Sequence, residues 1–245
     1  AQQQMRRDRQ FAFIAGVSIR RQPGAHEFWV ERRARRFIER MGCICVWRSV
    51  EDRDVGADEQ FLRTRHISWL GKIEGEQLNV ESVRSSIARR MGLDIGDLAP
   101  KERHADGVVD MLLDATEQYA DNLSADRLLA WHRALFPDGQ SGLTPIRVGQ
   151  WRDDANGSMQ VVSGPLHRQR VHFEALAATQ LSAELARFLH WLNHDASQNA
   201  LLKAGLAHLW FLTLHPFDDG NGRIARAICE MLLARADGSA KRFYS

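Results

Sequence analysis

His215-Pro216-Phe217-Asp218-Asp219-Gly220-Asn221-Gly222-Arg223-Ile224-Ala225-Arg226 is the stretch on which the reading of this chain turns. Ahead of it, residues 199–214 read as a helix whose apolar part runs from Ala204 to Leu214. Pro216 disfavours helical geometry at His215 and so ends that helix. A second apolar helix is expected from about Asn221 to Arg235. The loop between them holds a histidine, two carboxylates, an asparagine and glycines. Gly220-Asn221-Gly222 at a helix start is a natural anion cradle, because glycines let backbone N–H groups turn inward where the helix end carries partial positive charge. Arg223 and Arg226, three apart, project from one side of the first turn. Two guanidinium forks beside such a nest suit a polyphosphate. Asp219 or Asp218 beside bound phosphates would suit Mg²⁺, which takes one or two protein carboxylates plus phosphate oxygens. A histidine there can accept a proton from an attacking hydroxyl. Together these residues predict transfer of part of a nucleotide to a nucleophile. Singly, each has a plainer reading as a turn, a solvated arginine or a buried histidine. Jointly, those readings give no reason for an apolar helix to stop in so polar a loop.

Outward from this loop the chain reads as mostly α with one small hairpin. Asn79 is an expected N-cap for a helix through Arg90, with Gly92 as its stop, and Val83 and Ile87 line one face. Residues 104–121 carry Val108, Met111, Leu112, Ala115 and Tyr119 at helical spacing. Ser124 caps a third helix holding Leu128, Leu129, Trp131, His132 and Leu135, and Phe136 to Gly139 close it in a turn. Residues 179–193 read as helical too, with Trp191, like Trp210 in the following helix, expected in the core. Over 142–165, Ile146 to Arg152 and Met159 to Ser163 flank Asp154-Ala155-Asn156-Gly157, which predicts a β-hairpin with an Asn-Gly turn. Residues 1–70 are harder: an amphipathic helix is expected near 26–41, and Cys43 to Trp47 reads as strand or helix.

The loop resembles the signature of the Fic family, His-Pro-Phe-x-x-Gly-Asn-Gly-Arg-x-x-Arg, at every fixed position, and the resemblance extends over about residues 72–245. It implies a Fic-type helical domain over 71–245 with one β-hairpin flap, preceded by an N-terminal extension of uncertain fold over 1–70. Such domains usually continue with a further helix, so the C-terminus is expected to be incomplete. The activity implied is that of a protein adenylyltransferase, moving AMP from ATP to a Ser, Thr or Tyr hydroxyl of a target protein. By the same resemblance His215 is the general base, Phe217 anchors the loop, and Asp219 binds Mg²⁺. Gly220, Asn221 and Gly222 hold the phosphates with Arg223, and Arg226 binds the γ-phosphate. Kinase-like relatives carry Lys where this chain has Gly222, which favours nucleotidyl transfer here. The flap would dock the target by strand addition, with Arg147, Trp151, Met159 and Val161 as candidates. The target itself is not named by the sequence, and self-modification and a homodimer stay open.

Ser68 to Gly75 resembles the family's inhibitory motif, [Ser/Thr]-x-x-x-Glu-[Gly/Asn]. Glu74-Gly75 fits, whereas Leu70 stands where Ser or Thr is expected. A glutamate paired with Arg226 would occupy the arginine that the γ-phosphate needs, so the resemblance implies autoinhibition by Glu74. It also admits removal of AMP from a modified protein as the main activity. A reading from another class is a nucleic-acid-binding or toxin–antitoxin-type regulator. It draws on charge: residues 1–70 hold 14 Arg, no Lys and 9 acidic residues, while the whole chain has a net charge of +2. A solvated Arg-rich helix face explains that excess more simply, so nucleic acid is not an expected partner.

Composition sets the outer bounds. The 245 residues are 44% apolar and 26% charged, which excludes a collagen-like or mostly disordered chain. No apolar stretch approaches the ~20 residues that span a bilayer, so no membrane partner is expected. Three cysteines, Cys43, Cys45 and Cys229, make no disulfide framework, and a reducing cytoplasm is the default compartment. His190 and His194 lack a third ligand at zinc spacing, and His208 is expected to be buried.

Overall fold

The structure is a computed structural model that describes residues 55–73, 77–93, 102–155, 157–165, 168–195 and 199–241. The expected helix near 26–41, the Cys43–Trp47 run and Glu74 lie outside the described residues. Seven helices and two small sheets are described: α1 (Val55–Ile73), α2 (Val80–Arg90), α3 (Arg103–Glu117), α4 (Ala125–Leu135), β1 (Gln140–Ser141), β2 (Thr144–Pro145), β3 (Gln160–Ser163), β4 (Arg170–Glu174), α5 (Ala178–His194), α6 (Ala200–Leu214) and α7 (Asn221–Asp237).

Capping explains where several helices begin. The Asn79 side chain accepts from the amides of Glu81 and Ser82 at the start of α2, Ser124 accepts from Arg127 N at the start of α4, and Asn199 from Leu201 N at the start of α6. Each satisfies N–H groups that have no partner inside the helix. The apolar faces then meet in one core. α3 packs against both α4 and α7, α6 lies along α7, α5 packs on α6, and α2 sits between α1 and α3. Val109, Leu128, Phe188, Phe211, Phe217 and Ile228 are fully buried in it. Trp191 and Trp210 are half-buried at its edge.

Polar contacts fix how the helices sit. Asp114 on α3 accepts from Arg127 Nε at 2.7 Å and from Trp131 Nε1 at 2.6 Å, both on α4. Gly107 lets the same pair approach closely, since a Cβ there would run into the Ala134 carbonyl. Between α2 and α3, Asp106 accepts from Ser86 Oγ at 2.5 Å and Arg89 at 2.6 Å. Burial pushes the Asp106 carboxyl up, and the bonds from Ser86 and Arg89 with the Arg89 and Arg90 charges outweigh it, holding the group below its ordinary range.

α1 crosses residue 70, and its Ile67 and Leu70 belong to the same core. Leu70, which departs from the Ser or Thr of the inhibitory motif, is 6% exposed. Its side chain is used for packing.

The hairpin expectation is corrected. Met159–Ser163 does not pair with Ile146–Arg152. β3 instead pairs antiparallel with β4, in the register Gln160 to Glu174 through Ser163 to Arg170 with an irregularity between Val161 and Val162. Gly157 N donates to Asp154 O at 3.0 Å, but the segments on either side of that bond do not pair with each other. A second, shorter hairpin joins β1 to β2. The physical reason lies at Arg152: its guanidinium is drawn inward to backbone carbonyls of the 215 loop and of the segment after β4. That pulls residues 146–152 onto the helices and leaves β3 to find its partner downstream.

Candidate active site

The loop from His215 to Gly220 joins the C-terminus of α6 to the N-terminus of α7. His215 has φ 47° and ψ 58°, the sole left-handed non-glycine backbone among the described residues. Such a conformation is uncommon outside glycine and costs local strain that the surroundings must hold. Phe217 drives into the core. Its ring lies parallel to that of His132, with centroids 4.1 Å apart, and is tilted against Trp151 at 5.0 Å. Asn221 closes the loop on itself: its Oδ1 accepts from Phe217 N at 3.0 Å and its Nδ2 donates to Phe217 O at 2.7 Å. The Asn221 side chain thereby fixes the shape of the loop.

Gly220 sits at the N-cap of α7 with φ 79°. A Cβ there would stand 2.8 Å from Phe136 Cε2 and 3.4 Å from Leu135 Cδ1. The chain needs glycine here for both conformation and space. Arg223 lies over the Phe136 ring at 4.7 Å and is buried. Arg226, one turn on, is half-buried. Phe136 is thus the floor beneath the first turn of α7.

The carboxylates differ in setting. Asp219 Oδ1 accepts from Gly220 N at 2.7 Å and its Oδ2 from the Ser141 hydroxyl on β1. Asp218 is exposed and accepts from Arg147 N at 3.0 Å. A carboxylate oxygen keeps accepting capacity beyond one bond, so Asp219 beside an anion nest fits a Mg²⁺ held by one carboxylate plus phosphate oxygens. Among the described residues no group of three or more His, Cys, Asp or Glu is placed to hold a metal by itself.

His215 is 7% exposed. Burial pushes its pKa down to about 4, with the Arg152 charge adding, while a bond to the Leu212 carbonyl and the Asp219 charge act the other way. The ring is therefore neutral near pH 7. One ring N–H is directed to a helix carbonyl, which leaves the other nitrogen able to accept a proton.

Two residues of this site were not singled out by the sequence. His132 on α4 is completely buried, accepts from Gly149 N at Nδ1 (3.0 Å) and meets the Asp219 carbonyl through Nε2 at 3.2 Å. With Nδ1 accepting, the proton must sit on Nε2. Burial, partly opposed by that Asp219 bond, lowers its pKa to about 4. Arg152 is buried and donates to the His215 carbonyl. Neither residue lies in the signature.

The docking candidates are placed as follows. Trp151 packs on Phe217 and Val161 is buried, so both face the core. Arg147 pairs with Asp153, and Met159 precedes β3 and is half-buried. The longer sheet has two strands, each with an unpaired edge, and β4 carries Val171, which is 50% exposed. His190 and His194 stack on one face of α5, and His208 is buried, as expected.

The Fic/DOC family profile matches residues 122–233, which contain the loop, its floor and both sheets. Residues 122–233 are a Fic domain. A second profile, for a domain of unknown function (DUF4172), matches residues 64–93, ahead of the Fic domain, spanning the end of α1 and all of α2. The chain is 28% identical over 186 residues to Protein adenylyltransferase Fic of Drosophila virilis, an alignment covering 70% of this chain and 33% of the relative. It is 30% identical over 185 residues to the protein of the same name in Drosophila grimshawi, covering 70% and 33%. The chain thus spans about a third of the length of these curated relatives. The solved structure of a Fic family protein from Desulfovibrio desulfuricans superposes with a TM-score of 0.52 at 20% identity, over 90% of this chain and 60% of the other. Among the described residues no helix is long and apolar enough to cross a membrane.

Proposed function

We propose that this Fic-domain protein is an adenylyltransferase that moves AMP from ATP to a hydroxyl of a target protein. The observation that carries the reading is a neutral, buried His215 at the mouth of a helix N-terminus flanked by Arg223 and Arg226. The triphosphate lies along the first turn of α7, where the amides after Gly220 meet its α- and β-phosphates and Arg226 takes its γ-phosphate. His215 accepts the proton of the target hydroxyl through the ring nitrogen not engaged with Leu212. The hydroxyl oxygen bonds to the α-phosphorus, the bond from that phosphorus to the bridging oxygen breaks, and pyrophosphate leaves with the electron pair. Asp219, beside Asp218, is the residue that would hold Mg²⁺, which neutralises charge on the phosphate oxygens when bound. The rest is positioning and charge stabilisation, which dominate chemistry of this kind.

The target strand adds to the exposed edge of β4. Glu74, on the segment that follows α1, restrains the reaction by pairing with Arg226. Support for this is the intact Glu74-Gly75 and the course of α1, which packs on α7. The reaction is tested by incubating the protein with ATP labelled at the α- or the γ-phosphate. Label carried onto protein from the α-position only supports AMP transfer. Label from the γ-position means phosphorylation and contradicts it.

A further inference from the structure

His215 needs something to hold its left-handed backbone, and the structure contains a dedicated clamp. Arg152, 4% exposed, spends its guanidinium on three partners. Nε donates to the His215 carbonyl at 2.7 Å, Nη2 to the Leu176 carbonyl at 2.6 Å, and Nη1 pairs with Asp154 Oδ1 at 2.8 Å. Its own amide donates to Pro216 O at 2.8 Å. The other carboxylate oxygen of Asp154 accepts from Ala178 N at 2.7 Å, the first residue of α5. One side chain therefore reaches the histidine, the end of the segment leaving β4, and, through Asp154, the start of α5.

Chemistry favours this arrangement over a merely tolerated buried charge. A cation at the C-terminus of α6 meets the negative end of the helix, where carbonyls have no partner within the helix. A planar fork can reach three acceptors in fixed directions, which a lysine ammonium cannot. A buried arginine left unpaired would cost several kcal/mol, so the fork and its acceptors hold one another in register.

We propose that Arg152, paired with Asp154, is the positioning residue that fixes His215 for proton transfer and fastens it to the segment that follows β4. The inference rests on the adenylyltransferase reading for its catalytic consequence, but its structural half stands apart from that reading. It stands apart from the nucleotide: the phosphate-facing residues lie on α7, and within the 215–226 segment Arg152 bonds to the backbone of His215 and Pro216.

The test uses the full chain with Arg152→Lys, which keeps the charge and loses the fork, and Asp154→Asn, a milder change that leaves the arginine in place. Three readouts are taken: the backbone carbon shifts of His215 by NMR, binding of ATP with Mg²⁺, and turnover of AMP transfer. Expected for Arg152→Lys is a His215 shift that leaves the left-handed range while α2 is unchanged. ATP affinity should stay within about twofold, and turnover should fall at least about tenfold, since misplacement of a reacting group by about 1 Å costs on the order of a hundredfold. Asp154→Asn should move the same readouts in the same direction by less. His215 shifts unchanged in both variants would overturn the proposal, whether or not the parent transfers AMP. Loss of ATP affinity in step with turnover would also overturn it, because a general structural role would do that. A parent that transfers no AMP, with His215 shifts displaced in Arg152→Lys, contradicts the adenylyltransferase reading and upholds the clamp.

Discussion

Replacing Gly220 by alanine should destabilise the protein by roughly 3 kcal/mol, and the structure says where that figure comes from. The φ of 79° lies in the left-handed region, which costs an L-residue with a Cβ about 1–2 kcal/mol. The added carbon would lie 2.8 Å from Phe136 Cε2 and 3.3 Å from its Cζ, an overpacking that costs about 1–3 kcal/mol. The narrower unfolded ensemble of alanine gives back about 0.4–1 kcal/mol. The two costs can be separated. Phe136→Leu clears the space in front of residue 220 and leaves the backbone strain, so in the double variant the alanine should cost about 1–2 kcal/mol less than it does alone. Urea unfolding of the four proteins measures this, provided the m-values agree. Gly220→Ala within about 0.5 kcal/mol of the parent, or strict additivity with Phe136→Leu, would refute the account of this helix start.

Stability should also fall in acid. His132, His208 and His215 are all held below their ordinary 6.5, to about 4, about 3 and about 4, each first by burial. The unfolded chain then binds more protons than the folded one between about pH 6.5 and pH 4, so the stabilisation is complete above 6.5 and is lost as pH falls toward 4. Each proton of difference contributes about 1.4 kcal/mol per pH unit, and a flat urea midpoint from pH 7 to pH 4.5 would contradict the burial of these rings. Asp219→Ala should abolish Mg²⁺-supported AMP transfer, with Asp218→Ala losing much less; kinetics at graded Mg²⁺ would show a reversed order if the wrong carboxylate has been assigned. Glu74→Gly should raise AMP transfer at least about tenfold, since a bias of about 1.4 kcal/mol shifts a population tenfold. A variant no faster than the parent removes the brake and leaves the loop's assignment standing.

What the sequence made legible was local. Asn79 and Ser124 announce helix starts by side chains that bond within their own turn, so a linear reading finds them. Pro216 and Gly220 mark the two ends of the loop for the same reason. The hairpin failed because its turn signal, Asn156-Gly157, was read as pairing its two flanks, while the outcome was decided by partners far along the chain. Arg152 found carbonyls at residues 176 and 215, and β3 found β4. His132 shows the same limit. On α4 it looks like any amphipathic-helix histidine, and only the fold brings Phe217, Gly149 and the Asp219 carbonyl around its ring. Asn221 was legible as part of the nest, but its side chain serves the loop's own backbone.

In the proposed reaction His215 takes the proton in a transfer of AMP whose nucleotide is held by other residues. The most direct measurement compares the Glu74→Gly protein with the same protein carrying His215→Ala, following label from α-phosphate-labelled ATP onto protein while ATP binding is measured alongside. The account predicts that labelling disappears in the alanine variant and that ATP affinity is largely retained. Undiminished labelling without His215 would contradict it.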